Sequence, residues 1–75
     1  PQPCSIARAA ALLADPWTIV LLRDAFRGVR RFDDFLALSG AARTVAAARL
    51  RRLVGSGILA RRRYSERPPR DEYVL

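Results

Sequence analysis

The sequence predicts a mainly α domain closed by a small β-hairpin, and three observations predict it. Apolar residues recur at helical spacing in four successive segments between residues 5 and 54. A Gly55-Ser56-Gly57 break then leads into two short segments flanking Pro68-Pro69, which read as strands. Basic charge gathers at the same end: residues 43–75 carry nine arginines against three carboxylates, a net charge of +6, whereas residues 1–42 carry a net of +1. The predicted order, α-α-α-α-β-β, is that of a winged helix-turn-helix with one additional N-terminal helix.

Each element has a local reason. Ser5 is placed to cap a first helix with Ile6, Ala10 and Leu13 on one face. Asp15-Pro16 reads as the N-cap and first position of a second helix, where the missing proline N–H costs nothing. That helix is expected to bury Ile19, Leu22 and Phe26 and to stop at Gly28. Arg30-Arg31-Phe32 reads as a short extended piece before a third helix over Asp33 to Leu38, whose first-turn aspartates suit the helix dipole. Ser39-Gly40-Ala41-Ala42 is small enough to be the turn between two helices. Thr44 is the expected cap of the fourth helix, which has Ala46, Leu50, Leu53 and Val54 on its inner face. Its outer face would then hold Thr44, Val45, Ala48, Arg49 and Arg52, with Arg51 on a flank. Ile58 to Tyr64 and Asp71 to Leu75 are the expected strands, joined by a loop from Ser65 to Arg70 that the proline pair stiffens.

Composition narrows the function classes. All 14 basic residues are arginine and 7 residues are acidic, giving a net charge of +7. A GC-rich genome explains the missing lysine but not the clustering, which points to a polyanion. Arginine's fork suits phosphates and guanine edges. The chain is one small domain, residues 1–75, with a modest core, for which a partner copy is the expected support. One cysteine and no histidine leave no ligands for a structural zinc site, and no cofactor is expected. No apolar run is long enough for a membrane span and no signal-peptide pattern is present, so the expected compartment is the cytoplasm. Catalysis finds little footing: there is no histidine or Gly-rich phosphate loop, and Asp33-Asp34 and Asp71-Glu72 are adjacent rather than facing pairs.

Three stretches together resemble the HxlR family of bacterial winged-helix transcription regulators, relatives of the MarR group. They are Cys4 to Ala9 with Asp15-Pro16-Trp17-Thr18; Arg30-Arg31-Phe32-Asp33-Asp34-Phe35; and Arg49-Leu50-Arg51-Arg52-Leu53 with Gly57-Ile58-Leu59 and the segment from Tyr64 to Leu75. The resemblance covers nearly the whole chain, and Ser65-Glu66-Arg67-Pro68-Pro69-Arg70 is its most specific part. Departures are Ser5 in place of a proline, Gly40-Ala41 for a Gly-Ile turn, Thr44 for an asparagine cap, and Ala46-Ala47 for a leucine-serine pair. The resemblance implies a dimer completed by a further C-terminal helix, which this chain does not include.

The candidate DNA-binding residues are Arg43, Thr44, Val45, Ala48, Arg49 and Arg52 on the fourth helix, and Arg67 and Arg70 in the wing. The arginines would meet phosphates or guanine edges, and Val45 and Ala48 would touch thymine methyls. Arg51 has an alternative, a pair with a carboxylate. Arg61, Arg62 and Arg63 alternate along a strand, so they cannot all face DNA. Tyr64 and Tyr73 read as packing residues, and Trp17 as core or dimer interface. Cys4, just before a helix N-terminus with Arg8 one turn on, is a candidate redox or electrophile sensor, a role the resemblance also implies; the plain alternative is a small apolar residue.

The expected function is a dimeric regulator, a repressor in this reading, on double-stranded operator DNA, with a small-molecule or oxidant effector. The competing class is a winged helix that docks protein, since fold alone does not fix function. An exposed apolar patch in place of a basic wing would favour that class.

Overall fold

The structure, a computed structural model, describes residues 15–75. The expected first helix, with Ile6, Ala10 and Leu13, and the candidate sensor Cys4 lie outside the described residues. The rest follows the expected order: α1 (Pro16–Phe26), α2 (Phe32–Ser39), α3 (Arg43–Gly55), then an antiparallel hairpin of β1 (Ala60–Glu66) and β2 (Pro69–Val74). This is the mainly α winged helix-turn-helix that the sequence predicts.

The helix α1 starts at Pro16 with Asp15 as N-cap, as expected, but buries a different stripe. Thr18, Leu21, Asp24 and Ala25 face inward; of the expected stripe Leu22 packs against the core, while Ile19 is 48% exposed and Phe26 75% exposed. The Thr18 hydroxyl donates to Asp15 Oδ2 at 2.8 Å, and the same carboxylate is tied to Arg49 on α3. That link turns the 15/18 side toward α3, one position away from the apolar stripe alone. Trp17, 37% exposed, is outside the core as well. Asp24 is buried with Oδ1 3.3 Å from Arg23 Nε, and its Oδ2 has no partner among the described residues.

After α1, Gly28 takes a left-handed φ of 95°, and Arg31, the N-cap of the next helix, is extended. The Arg30 carbonyl accepts a 2.7 Å hydrogen bond from Tyr73 N, so the expected extended piece meets β2 at Arg30, but it is shorter than expected because Phe32 already opens α2. The α2 C-cap is Gly40 at φ 74°, a conformation that favours glycine, and Ser39 Oγ accepts from Ala41 N at 3.1 Å. The turn between α2 and α3 is therefore Gly40 to Ala42. Ala42, not Thr44, is the N-cap of α3; the helix begins one residue before Thr44, which is left on its exposed first turn.

The core gathers Leu21 and Ala25 of α1, Phe35 of α2, Leu50 and Leu53 of α3, Leu59 of the connection and Tyr73 of β2. Phe35 and Tyr73 meet edge to face with ring centroids 6.2 Å apart. The α3 inner face is as expected: Ala46, Leu50 and Leu53 are fully buried and Val54 packs against the cluster. Beyond α3, Ile58 N and Leu59 N both donate to the Leu53 carbonyl, which delays the strand to Ala60 rather than Ile58. The hairpin is also tighter than expected. Glu66 pairs with Pro69, leaving only Arg67-Pro68 at the tip, and Pro69 opens β2, the place in a strand where a missing N–H is tolerated.

Candidate nucleic-acid interface

The helix α3 is the recognition-helix candidate, and packing has sorted its outer residues. Arg43, Thr44, Arg51 and Arg52 are exposed; Val45, Ala48 and Arg49 are half-buried. Arg43 lies 4.0 Å from Asp33, with its guanidinium 5.2 Å from the centre of the Phe32 ring, so it leans over the first turn of α2. Arg51, expected on a flank and offered a carboxylate partner, has no ion pair among the described residues. It projects from the exposed face instead.

Arg49 departs from the outer face. Its Nε donates to Asp15 Oδ2, and the pair is largely enclosed, with side-chain exposures of 29% and 16%. Arg52 Nη1 stands 4.0 Å from the same oxygen but remains 46% exposed. Burial pushes the Asp15 carboxyl up, but the hydrogen bonds from Thr18 and Arg49, together with the Arg49 charge, outweigh it and hold the carboxyl below its ordinary pKa. Asp15 therefore stays ionised near neutral pH and fastens α1 to the middle of α3. In sequence, Asp15 reads only as a cap. Its partner lies 34 residues away, a separation that no local pattern reveals.

The hairpin divides along its length. At the base, the three successive β1 arginines all meet β2 carboxylates. Arg62 grips Glu72, Arg63 Nε donates to Asp71 Oδ1 at 2.7 Å, and Arg61 stands 3.9 Å from Asp71 while donating to the Tyr73 hydroxyl at 3.2 Å. That hydroxyl bond raises the Arg61 pKa above its ordinary value, so the residue is a fixed cation. Between Arg63 and Ser65 the register slips, leaving Tyr64 as an irregular residue, 37% exposed, beneath the Arg31 guanidinium at 4.6 Å. At the tip, Arg67 and Arg70 are exposed and have no ion pair among the described residues. Tyr73 is a packing residue as expected; Tyr64 is a platform for Arg31.

This geometry, an exposed basic face on the third helix and a hairpin with uncompensated arginines at its tip, has known counterparts. The HxlR-like helix-turn-helix family model matches residues 12–75. The chain belongs to that family. An uncharacterized HTH-type transcriptional regulator of Mycobacterium tuberculosis is 44% identical over 71 residues, covering 95% of this chain and 45% of the relative. A second, from Synechocystis, is 42% identical over 73 residues, covering 96% of this chain and 54% of its own length. Among solved structures, PA1607, a candidate transcription factor, superposes with a TM-score of 0.82 at 37% identity, covering 93% of this chain and 49% of the other. PA1374 of Pseudomonas aeruginosa, also a candidate transcription factor, gives 0.76 at 42% identity, covering 92% and 47%. This HxlR-like chain thus spans about half the length of the relatives it matches.

Proposed function

We propose that this HxlR-like domain binds operator DNA in a sequence-dependent way, with α3 in the major groove and the hairpin tip on the flanking backbone or minor groove. The carrying observation is the charge left after pairing: Arg61, Arg62 and Arg63 of β1 are balanced within the hairpin by Asp71, Glu72 and Glu66, whereas Arg67 and Arg70 at its tip have no ion pair among the described residues. Arginines without a local carboxylate hold the charge that can displace counterions from a phosphate backbone. On α3 the contacts are assigned to Arg43, Thr44, Val45, Ala48 and Arg52, joined by Arg51. Arg49 becomes a positioning residue that acts through Asp15.

The protein acts as a two-fold dimer, a repressor in this reading, presenting two recognition helices about 34 Å apart to a pseudo-palindromic operator. The segment before Asp15 contributes to the dimer, and Cys4 answers oxidants or electrophiles. An unchanged response of DNA binding to diamide in Cys4→Ser would remove the sensor role.

The test is fluorescence anisotropy against a duplex from the protein's own upstream region and a scrambled duplex, at several salt concentrations. Tighter binding to the native duplex, weakening steeply with salt, is expected. No binding to either duplex at about 50 mM salt, where a basic DNA-binding surface is strongest, would favour the protein-docking class instead.

A further inference from the structure

We infer that the groove beside the α1–α2 connection is a second binding site, one that takes a small amphipathic carboxylate. Its cationic side is Arg27, Arg30 and Arg31; its apolar side is Val29 with Ala37 and Leu38 of α2. No residue of α3 and none of the hairpin tip lines it, so it lies apart from the surface assigned to DNA.

The three arginines fall within five residues, and none comes within 4.0 Å of a carboxylate among the described residues. Two acids also line the groove. Glu72 is already gripped by Arg62 and its side chain is only 11% exposed, which leaves Asp34 as the uncommitted negative charge. Three guanidiniums against one carboxylate make a local excess that calls for an anion. Their backbone is pinned rather than loose: Gly28 N donates to the Ala25 carbonyl and Val29 N to the Asp24 carbonyl, both at 3.0 Å, and the Arg30 carbonyl is held by Tyr73 N at 2.7 Å. A preorganised scaffold lowers the ordering cost of binding.

The ligand class follows from shape. The groove is open to solvent and offers about 670 Å³, more room than a bare ion needs. Leu38 is 61% exposed on its wall, an apolar surface that phosphate or sulfate would leave uncovered. A carboxylate head on a flat apolar body meets both sides, with the head in a guanidinium fork.

Arg31 links the groove to the wing, because the same guanidinium rests over Tyr64 of β1. A bound carboxylate competes for Arg31 and so bears on the hairpin; by linkage, DNA on the hairpin bears equally on the carboxylate. This coupling rests on the DNA-binding reading. The binding itself does not, so it is tested without DNA.

The probes are 1-naphthoate and its neutral counterpart 1-naphthamide, titrated into the labelled 75-residue chain and followed by backbone amide shifts. Naphthoate should saturate shifts at Gly28 to Arg31, Ala37 and Leu38, with the amide at least about tenfold weaker, since a charge-assisted hydrogen bond is worth that much. Arg27→Ala/Arg30→Ala should lose a similar factor. Ala37→Trp, which crowds the apolar wall and keeps every charge, should weaken naphthoate as well, so a folding fault in one variant leaves the other to decide. Equal binding of acid and amide, or shifts confined to α3 and the tip, would overturn the site. So would naphthoate binding untouched by either variant. If the double arginine variant kept naphthoate but lost salt dependence in DNA binding, the arginines would belong to the DNA surface instead.

Discussion

Three of the four arginines of the recognition helix stand within 4.0 Å of a carboxylate, with Arg51 the exception, whereas neither arginine of the hairpin tip does among the described residues. On α3, Arg49 is fastened to Asp15, Arg52 stands near the same carboxylate, and Arg43 leans toward Asp33. At the tip, Arg67 and Arg70 have no such partners among the described residues. A paired arginine sets position; an uncompensated one supplies long-range attraction. The helix is thus held in a fixed pose by the charges that a sequence count would assign to DNA, while the tip keeps its charge outward. Residual charge after pairing, and not the number of arginines, maps where a polyanion is drawn.

The largest expected effect comes from the frame the two regions share. Leu50 is fully buried on the inner face of α3, and Leu50→Ala should cost about 2–5 kcal/mol in chemical denaturation. A loss below about 1 kcal/mol would mean that α3 is not held by this core, and the contrast between a fixed helix and an outward tip would lose its basis. Next comes Arg67→Ala/Arg70→Ala. If each guanidinium meets one phosphate, the slope of log affinity against log salt should fall by about 1.8, with stability changed by no more than about 0.5 kcal/mol. An unchanged slope would put the tip off the backbone.

Asp15→Asn sharpens the comparison from the other side. Without the carboxylate charge, Arg49 and Arg52 lose their counterion, so α3 should come to resemble the tip. Binding to scrambled duplex should tighten and the salt slope steepen by up to about one, while discrimination for the native duplex narrows. Unaltered discrimination would deny Asp15 its positioning role. The pH dependence has a definite sign. Because the folded pKa of Asp15 is depressed, its contribution to stability is fully present above the unfolded value of about 3.9 and is lost as pH falls through the folded value. The parent should therefore lose more stability than Asp15→Asn in melts taken from about pH 6 down to about pH 2. Parallel curves for the two proteins would contradict this.

Local rules carried the element order of the described residues, the Asp15-Pro16 helix start, the Gly40 turn, the inner face of α3 and the pairing of two strands. They failed wherever a distant partner decided the outcome. On α1 the apolar periodicity places Leu22 against the core but not Ile19 or Phe26, because Thr18, a polar residue, is turned inward by a carboxylate that Arg49 also holds. Arg49 itself was misplaced by the same bond, since helical periodicity places it outward. The pairing of Arg61, Arg62 and Arg63 with Asp71 and Glu72 depends on strand register, which a hairpin fixes only when its loop length is known. Here the loop is two residues, Arg67-Pro68, rather than the six expected. The Arg27 to Arg31 groove was equally hidden, because its apolar wall comes from α2 and not from the arginine segment.

The smallest expected effect is also the one that places the boundary between the two states. Arg43 is bound loosely on both counts, 4.0 Å from an Asp33 carboxylate that is itself 82% exposed, and over a Phe32 ring at 5.2 Å. Exposed pairs of this kind contribute little, so Arg43→Ala should change stability by less than about 0.5 kcal/mol. Its effect on DNA then decides which class it joins. If Asp33 holds it as Asp15 holds Arg49, the salt slope stays put and Asp33→Asn raises it. If DNA draws the side chain away, Arg43→Ala lowers the slope by about 0.9 and Asp33→Asn does nearly nothing, because the pair is already broken in the complex. The exposure of both partners, and the weakness of a 4.0 Å contact, favour the second outcome.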